Sequence, residues 1–219
     1  MKRDAIILLT IMMLLLVFSQ EASAQSNETQ KFEVGAHFSS LRIDKGETSS
    51  EPGFGGRFTF NLSDNFALEA EGDFFPKRDS FNTFRTGGHA VEGLFGVKIG
   101  KRYKRFGIFG KARPGFISFS EGIFEVLPTS LTVSPDTLFR VRTQRLTHAA
   151  LDIGGVLELY VSRRAFTRFD AGDTIIRYGQ TTFTTFTGVI GGTFTPIPIT
   201  IPSDTVHNFQ FSAGVGFRF

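Results

Sequence analysis

The stretch HNFQFSAGVGFRF, residues 207–219, reads at a period of two. Its odd positions are Phe209, Phe211, Ala213, Val215, Phe217 and Phe219, and its even positions are Asn208, Gln210, Ser212, Gly214, Gly216 and Arg218. One face is apolar and the other polar or small. Successive side chains of a β-strand point to opposite faces, so the stretch is a two-faced strand. A helix would require apolar residues at i, i+3 and i+4, and that spacing is absent.

Seven more segments pass the same test when the chain is read backwards. They are 168–172, 149–159, 106–113, 91–99, 66–74, 54–62 and 32–39, of which 168–172 is the shortest. Short links at 63–65, 101–105 and 161–165 alternate with long ones at 42–52, 76–88, 118–147 and 179–206. Eight strands with alternating short turns and long loops describe an all-β, antiparallel, up-and-down β-barrel. With the short turns assigned to the periplasm, both mature termini are expected there.

A single continuous apolar run exists, AIILLTIMMLLLVF at 5–18, preceded by Lys2 and Arg3 and followed by Ala22-Ser23-Ala24. It is shorter than the roughly 18 to 20 residues a membrane helix needs, and it carries the flanks of a secretory signal peptide. Residues 1–24 are therefore expected to be cleaved, leaving a barrel domain at 25–219 that starts at Gln25. The chain has no cysteine, which excludes disulfides, thiolate metal sites, a cysteine nucleophile and a lipid-modified N-terminal cysteine. Its 41% hydrophobic content excludes a disordered chain, and the apolar character is carried by 27 scattered Phe.

The alternation alone fits both a soluble barrel with an apolar inside and a membrane barrel with an apolar outside. Three features favour the membrane: Gly and mixed charges on the polar face, Phe at strand ends, and the export segment. The strand count, the loop alternation and the terminal FQFSAGVGFRF resemble the small eight-stranded outer-membrane barrels typified by the transmembrane domain of OmpA and by OmpX. The resemblance implies an integral outer-membrane monomer in contact with lipid. It also implies an assembly strand, with Phe209, Phe211, Phe217 and Phe219 read by the outer-membrane assembly machinery. No peptidoglycan-binding domain is expected after the barrel.

Parity places Glu33, Glu69, Glu71, Asp73, Glu92, Asp152, Glu158 and Asp170 inside, with Arg57, Lys98, Lys111, Arg113, Arg168 and Arg218. An eight-stranded barrel is only wide enough to be filled by side chains, so near-balanced charges are expected to pair as a plug rather than line a pore. His37 and His148 read as fillers near that network, and the inward Gly residues as room for long side chains. A small-solute pore is the alternative function. A second is a rim enzyme, since some small barrels are lipid-modifying enzymes or proteases. The rim candidates are Asp73, His89, Asp204 and His207, but His89 has outward parity and no nucleophile stands out, so no enzyme is expected. No two His lie four apart and no acidic loop has calcium spacing, so no metal or cofactor is expected. Lys101, Arg102, Lys104 and Arg105 read as a solvated periplasmic turn rather than a nucleic-acid site.

The function expected is a structural or surface-interaction role, with any extracellular ligand taken at the loops. The loop at 179–206 holds Phe183, Phe186, Val189, Ile190, Phe194, Ile197, Ile199 and Ile201. Such apolar content either marks a binding edge or packs as a closed cap on 118–147, whose Phe124, Leu127, Leu131 and Val133 are similar.

Overall fold

The computed structural model describes residues 30–44, 48–79, 85–129, 139–189 and 191–219. The expected leader and mature start at Gln25 lie outside these residues, as do Leu131, Val133 and Ile190. The described chain forms ten strands: β1 (Phe32–Asp44), β2 (Thr48–Asn61), β3 (Phe66–Asp79), β4 (Gly88–Arg102), β5 (Phe106–Pro128), β6 (Phe139–Tyr160), β7 (Ala165–Tyr178), β8 (Thr181–Thr187), β9 (Thr195–Ile201) and β10 (Asp204–Arg218). Eight of them close a ring in the order β1-β2-β3-β4-β5-β6-β7-β10, every neighbour antiparallel, with β10 returning to β1. Phe32 N donates to Phe219 O at 3.0 Å and Phe219 N to Phe32 O at 2.9 Å, so the seam is bonded to its end.

Side-chain exposure decides which face is inside. Phe38 is 77% exposed, Phe95 60% and Val215 59%, whereas Glu69, Lys98, Arg113, Asp152 and Glu158 are 0% exposed. A water-soluble barrel could not leave such a continuous Phe-rich belt uncovered; a barrel in lipid must.

At one end the connections are tight. Leu62 N and Ser63 N donate to Phe66 O, and Ser63 Oγ accepts from the amides of Asn65 and Phe66. Ser162 repeats the device between β6 and β7, accepting from Arg164 N and Ala165 N. In both turns a serine hydroxyl occupies amides that would otherwise go unpaired.

The other end differs from the sequence reading. The link expected at 42–52 is largely strand, because β1 runs to Asp44 and β2 begins at Thr48. The segment 118–147 is mostly a protruding hairpin, since β5 has 23 residues and β6 has 22, pairing out to Pro128 and Phe139. Register shifts between Phe119 and Gly122 and between Ile123 and Glu125 mark bulges that bend this hairpin. The segment 179–206 carries β8 and β9, which pair along seven positions and touch β5 at Glu125–Thr184. Strand pairing needs backbone partners rather than a lipid face, so it continues where the apolar alternation stops.

Inside this end, Leu41, Ile43, Phe75, Ala90, Ile117, Phe119, Ile176 and Tyr178 form one apolar cluster.

Candidate functional site

The sequence singles out the bore, and the structure brings the fourteen expected charges into it. Nearest the tight turns, Lys98 Nζ lies 2.6 Å from Glu158, 3.4 Å from Glu33 and 3.5 Å from Glu69. Arg218 reaches Glu33 and Glu158, each at 3.1 Å. The middle layer is denser. Arg168 donates to Asp170 on its own strand and forks onto Glu69 on β3, halfway around the ring. Arg113 donates to Asp152 at 2.6 and 2.8 Å and to Glu71 at 2.6 Å. Arg57 bonds Glu71 beside it and Asp170 across from it at 3.2 Å. Lys111 lies 2.9 Å from Asp152 and 3.6 Å from Asp170.

Three placements depart from expectation. Arg102 does not join a solvated turn: its guanidinium folds into the bore, donating to Glu33 at 2.6 Å and Asn61 at 2.8 Å. Its inward parity as the last residue of β4 was the signal available. His148 sits at the apolar end, against the Tyr178 and Phe119 rings, with Nε2 2.9 Å from Arg85 O, rather than by the charge network. Asp73 and Glu92 have no Arg or Lys partner among the described residues; Asp73 meets His37 and Ser39, and Glu92 meets Gln210.

The four rim candidates do not converge. Asp73 is inside the bore, and His89 faces outward with its ring 5.5 Å from that of Phe74. Asp204 pairs with Arg85 at 3.2 Å, and His207 pairs with Asp173. Phe209, Phe211 and Phe217 line the outward face of β10 and Phe219 follows its end, all from 39 to 59% exposed.

Among solved structures the chain is similar to Ail, the attachment invasion locus protein of Yersinia pestis, at 11% identity over 87% of this chain and 97% of that one, with a TM-score of 0.46. It is similar to Neisserial surface protein A at 16% identity over 86% and 97%, TM-score 0.45. It is also similar to the outer membrane protein OprG from Pseudomonas aeruginosa at 12% identity over 90% and 99%, TM-score 0.45. No curated protein matches the sequence. The family model for the outer membrane protein beta-barrel domain matches residues 10–219, and the chain belongs to that family of integral outer-membrane proteins.

Proposed function

We propose that this barrel has a structural and surface-interaction role, with a bore plugged by its own charges and with contacts made by the protruding hairpins. The observation that carries this reading is the pairing of Arg168 with Glu69 and of Arg57 with Asp170 across the ring. Guanidinium groups held by carboxylates from opposite walls occupy the path a solute would take, and the apolar cluster at Leu41, Phe75 and Ile117 closes the end beyond them. The tight-turn end is assigned to the periplasm, together with both mature termini, and the protruding hairpins to the cell exterior. The outward Phe face of β10 suits both lipid contact and reading by the assembly machinery.

The scatter of Asp73, His89, Asp204 and His207 over separate partners favours a non-enzymatic role, because catalysis needs groups within reach of one another. Between a cap and a binding edge, the cap has more support: β8 joins β5, and the Phe194 ring meets that of Phe139 at 6.0 Å.

Single-channel recording in planar bilayers tests the plug. The expected trace shows no unitary conductance steps from the wild-type barrel, and openings appear when Arg57 and Arg168 are both replaced by Ser. Regular steps from the wild type would favour the small-solute pore.

A further inference from the structure

One row of the sheet carries His37 on β1, Gly55 on β2, Asp73 on β3 and Glu92 on β4 at directly opposed positions. The His37, Asp73 and Glu92 side chains face the bore and are buried. Gly55 leaves the gap through which the imidazole reaches past β2: a Cβ there would lie 2.5 Å from Asp73 Oδ1 and 2.8 Å from His37 Nε2. His37 Nε2 stands 2.9 Å from Asp73 Oδ1 and 4.0 Å from Glu71 Oε1, the side chains being 2%, 0% and 1% exposed. One donor atom from each of the three lies within 4.8 Å of the others. Ser39 Oγ donates to Asp73 Oδ1 at 2.8 Å and steadies it.

The charge balance of this row is unlike that of the rest of the bore. Glu33, Glu69, Glu71, Asp152, Glu158 and Asp170 each meet an Arg or Lys. Asp73 and Glu92 meet none among the described residues, and the charges acting on Glu92 are those of Asp73, Glu71 and Asp152. Asp73 Oδ2, Glu92 Oε1 and His37 Nδ1 are buried with no hydrogen-bond partner. Buried carboxylates are normally paired or coordinate a metal.

We propose that His37, Asp73 and Glu71, with Glu92 as fourth donor, form a buried site for one divalent transition-metal ion of the zinc and cobalt class. Imidazole with carboxylates suits that class, whereas calcium and magnesium take oxygen donors alone. Metal–ligand bonds of about 2.0–2.1 Å in a tetrahedron set donor atoms about 3.3 Å apart, within the 2.9 to 4.0 Å that separates His37 Nε2 from its two carboxylates. Two positive charges match the two carboxylates that no Arg or Lys compensates. Nε2 becomes the ligand and the ring proton resides on Nδ1. The apolar cluster above the row makes the ion enter during folding and leave slowly thereafter.

The test unfolds the mature barrel in urea with EDTA, removes the chelator, and refolds the protein in detergent with equimolar Co²⁺. The expected result is one cobalt per chain after gel filtration, the intense visible bands of a tetrahedral site, and a higher thermal midpoint than the metal-free barrel. His37→Gln and Asp73→Asn, refolded alike, should retain less than a tenth as much. A wild-type barrel that refolds and retains no cobalt overturns the site, as does equal retention by both variants. Should neither variant fold, the wild-type spectrum and stoichiometry decide: tetrahedral bands at one ion per chain support the site, and octahedral, non-stoichiometric cobalt refutes it.

Discussion

Arg168 illustrates what a narrow bore demands of a charge. Its side chain is 2% exposed, and its guanidinium serves Glu69 on the opposite wall and Asp170 on its own strand. Only the planar fork of arginine meets two carboxylates in this way. Arg168→Ala would leave both acids to weaker helpers, Lys98 with Arg113 for Glu69 and Arg57 with Lys111 for Asp170. Breaking a buried pair in this manner costs about 3 kcal/mol, and the expected outcome is a lower urea midpoint for the refolded barrel. Glu92→Gln in the metal-free protein should behave oppositely, leaving the midpoint unchanged or raised, because it replaces a buried carboxyl group that no cation compensates; an unchanged midpoint for Arg168→Ala as well would show that a hydrated bore, not ion pairing, sets these energies. The side of the sheet taken by Arg168, Glu69 and the other charges was legible in the sequence, since parity within a strand is a local property. The partners were not. Arg168 and Glu69 lie 99 residues apart and Arg57 and Asp170 113 apart, and their meeting depends on register and ring closure. Likewise, His37 reaches Asp73 only because Gly55 stands between them in the row, which no spacing along the chain discloses.

The strands that reach beyond the apolar belt were the hardest elements to read, and for a physical reason. Within the belt one face meets lipid and the other meets charge, which writes the alternation into 54–62 or 91–99. Past it both faces of a hairpin meet water or one another, so FRVRTQRLT at the start of β6 reads as a loop although it pairs with β5. β8 is the exception, since its Thr-Phe alternation does suggest a strand continuing above the bilayer, and the prolines of β9 keep it out of a sheet interior. An unbroken β8–β9 ladder with proline at 196 and 198 requires both rings to face the free edge of β9, where they block addition of a further strand. This argues against a β-edge contact and for a hairpin that leans on its neighbour. Removing residues 181–200 is expected to leave the barrel folded while protease cuts the β5–β6 hairpin faster, because the Glu125–Thr184 bridge and the Phe139–Phe194 contact disappear together. Unchanged protection of that hairpin, accompanied by loss of adhesion to a surface, would instead identify β8–β9 as the binding element.

The whole ring shares one weakness and one strength, and both lie at the seam. Each of the eight barrel strands has two neighbours, so no backbone edge faces lipid, where an unpaired amide or carbonyl would cost several kcal/mol. The last neighbour relation joins the first strand to the final one: β10 pairs with β1 from Leu41–Gln210 to Glu33–Arg218 and with β7 from Asp204–Tyr178 to Phe217–Ala165. Closure therefore waits for the end of the chain, and once made it can be undone only by breaking a full ladder together with the ion pairs that cross the bore. A structure of this kind should resist detergent at room temperature and yield only on heating. The expected observation is two gel positions for one chain, a compact band when the sample is left unheated and a slower or faster one after boiling. Deleting residues 209–219 removes the whole β1–β10 ladder and most of the β10–β7 ladder, leaving two open edges, and the compact band should vanish with it. If the truncated chain keeps the heat-dependent band, stability does not depend on ring closure, and the seam cannot be what holds the barrel shut.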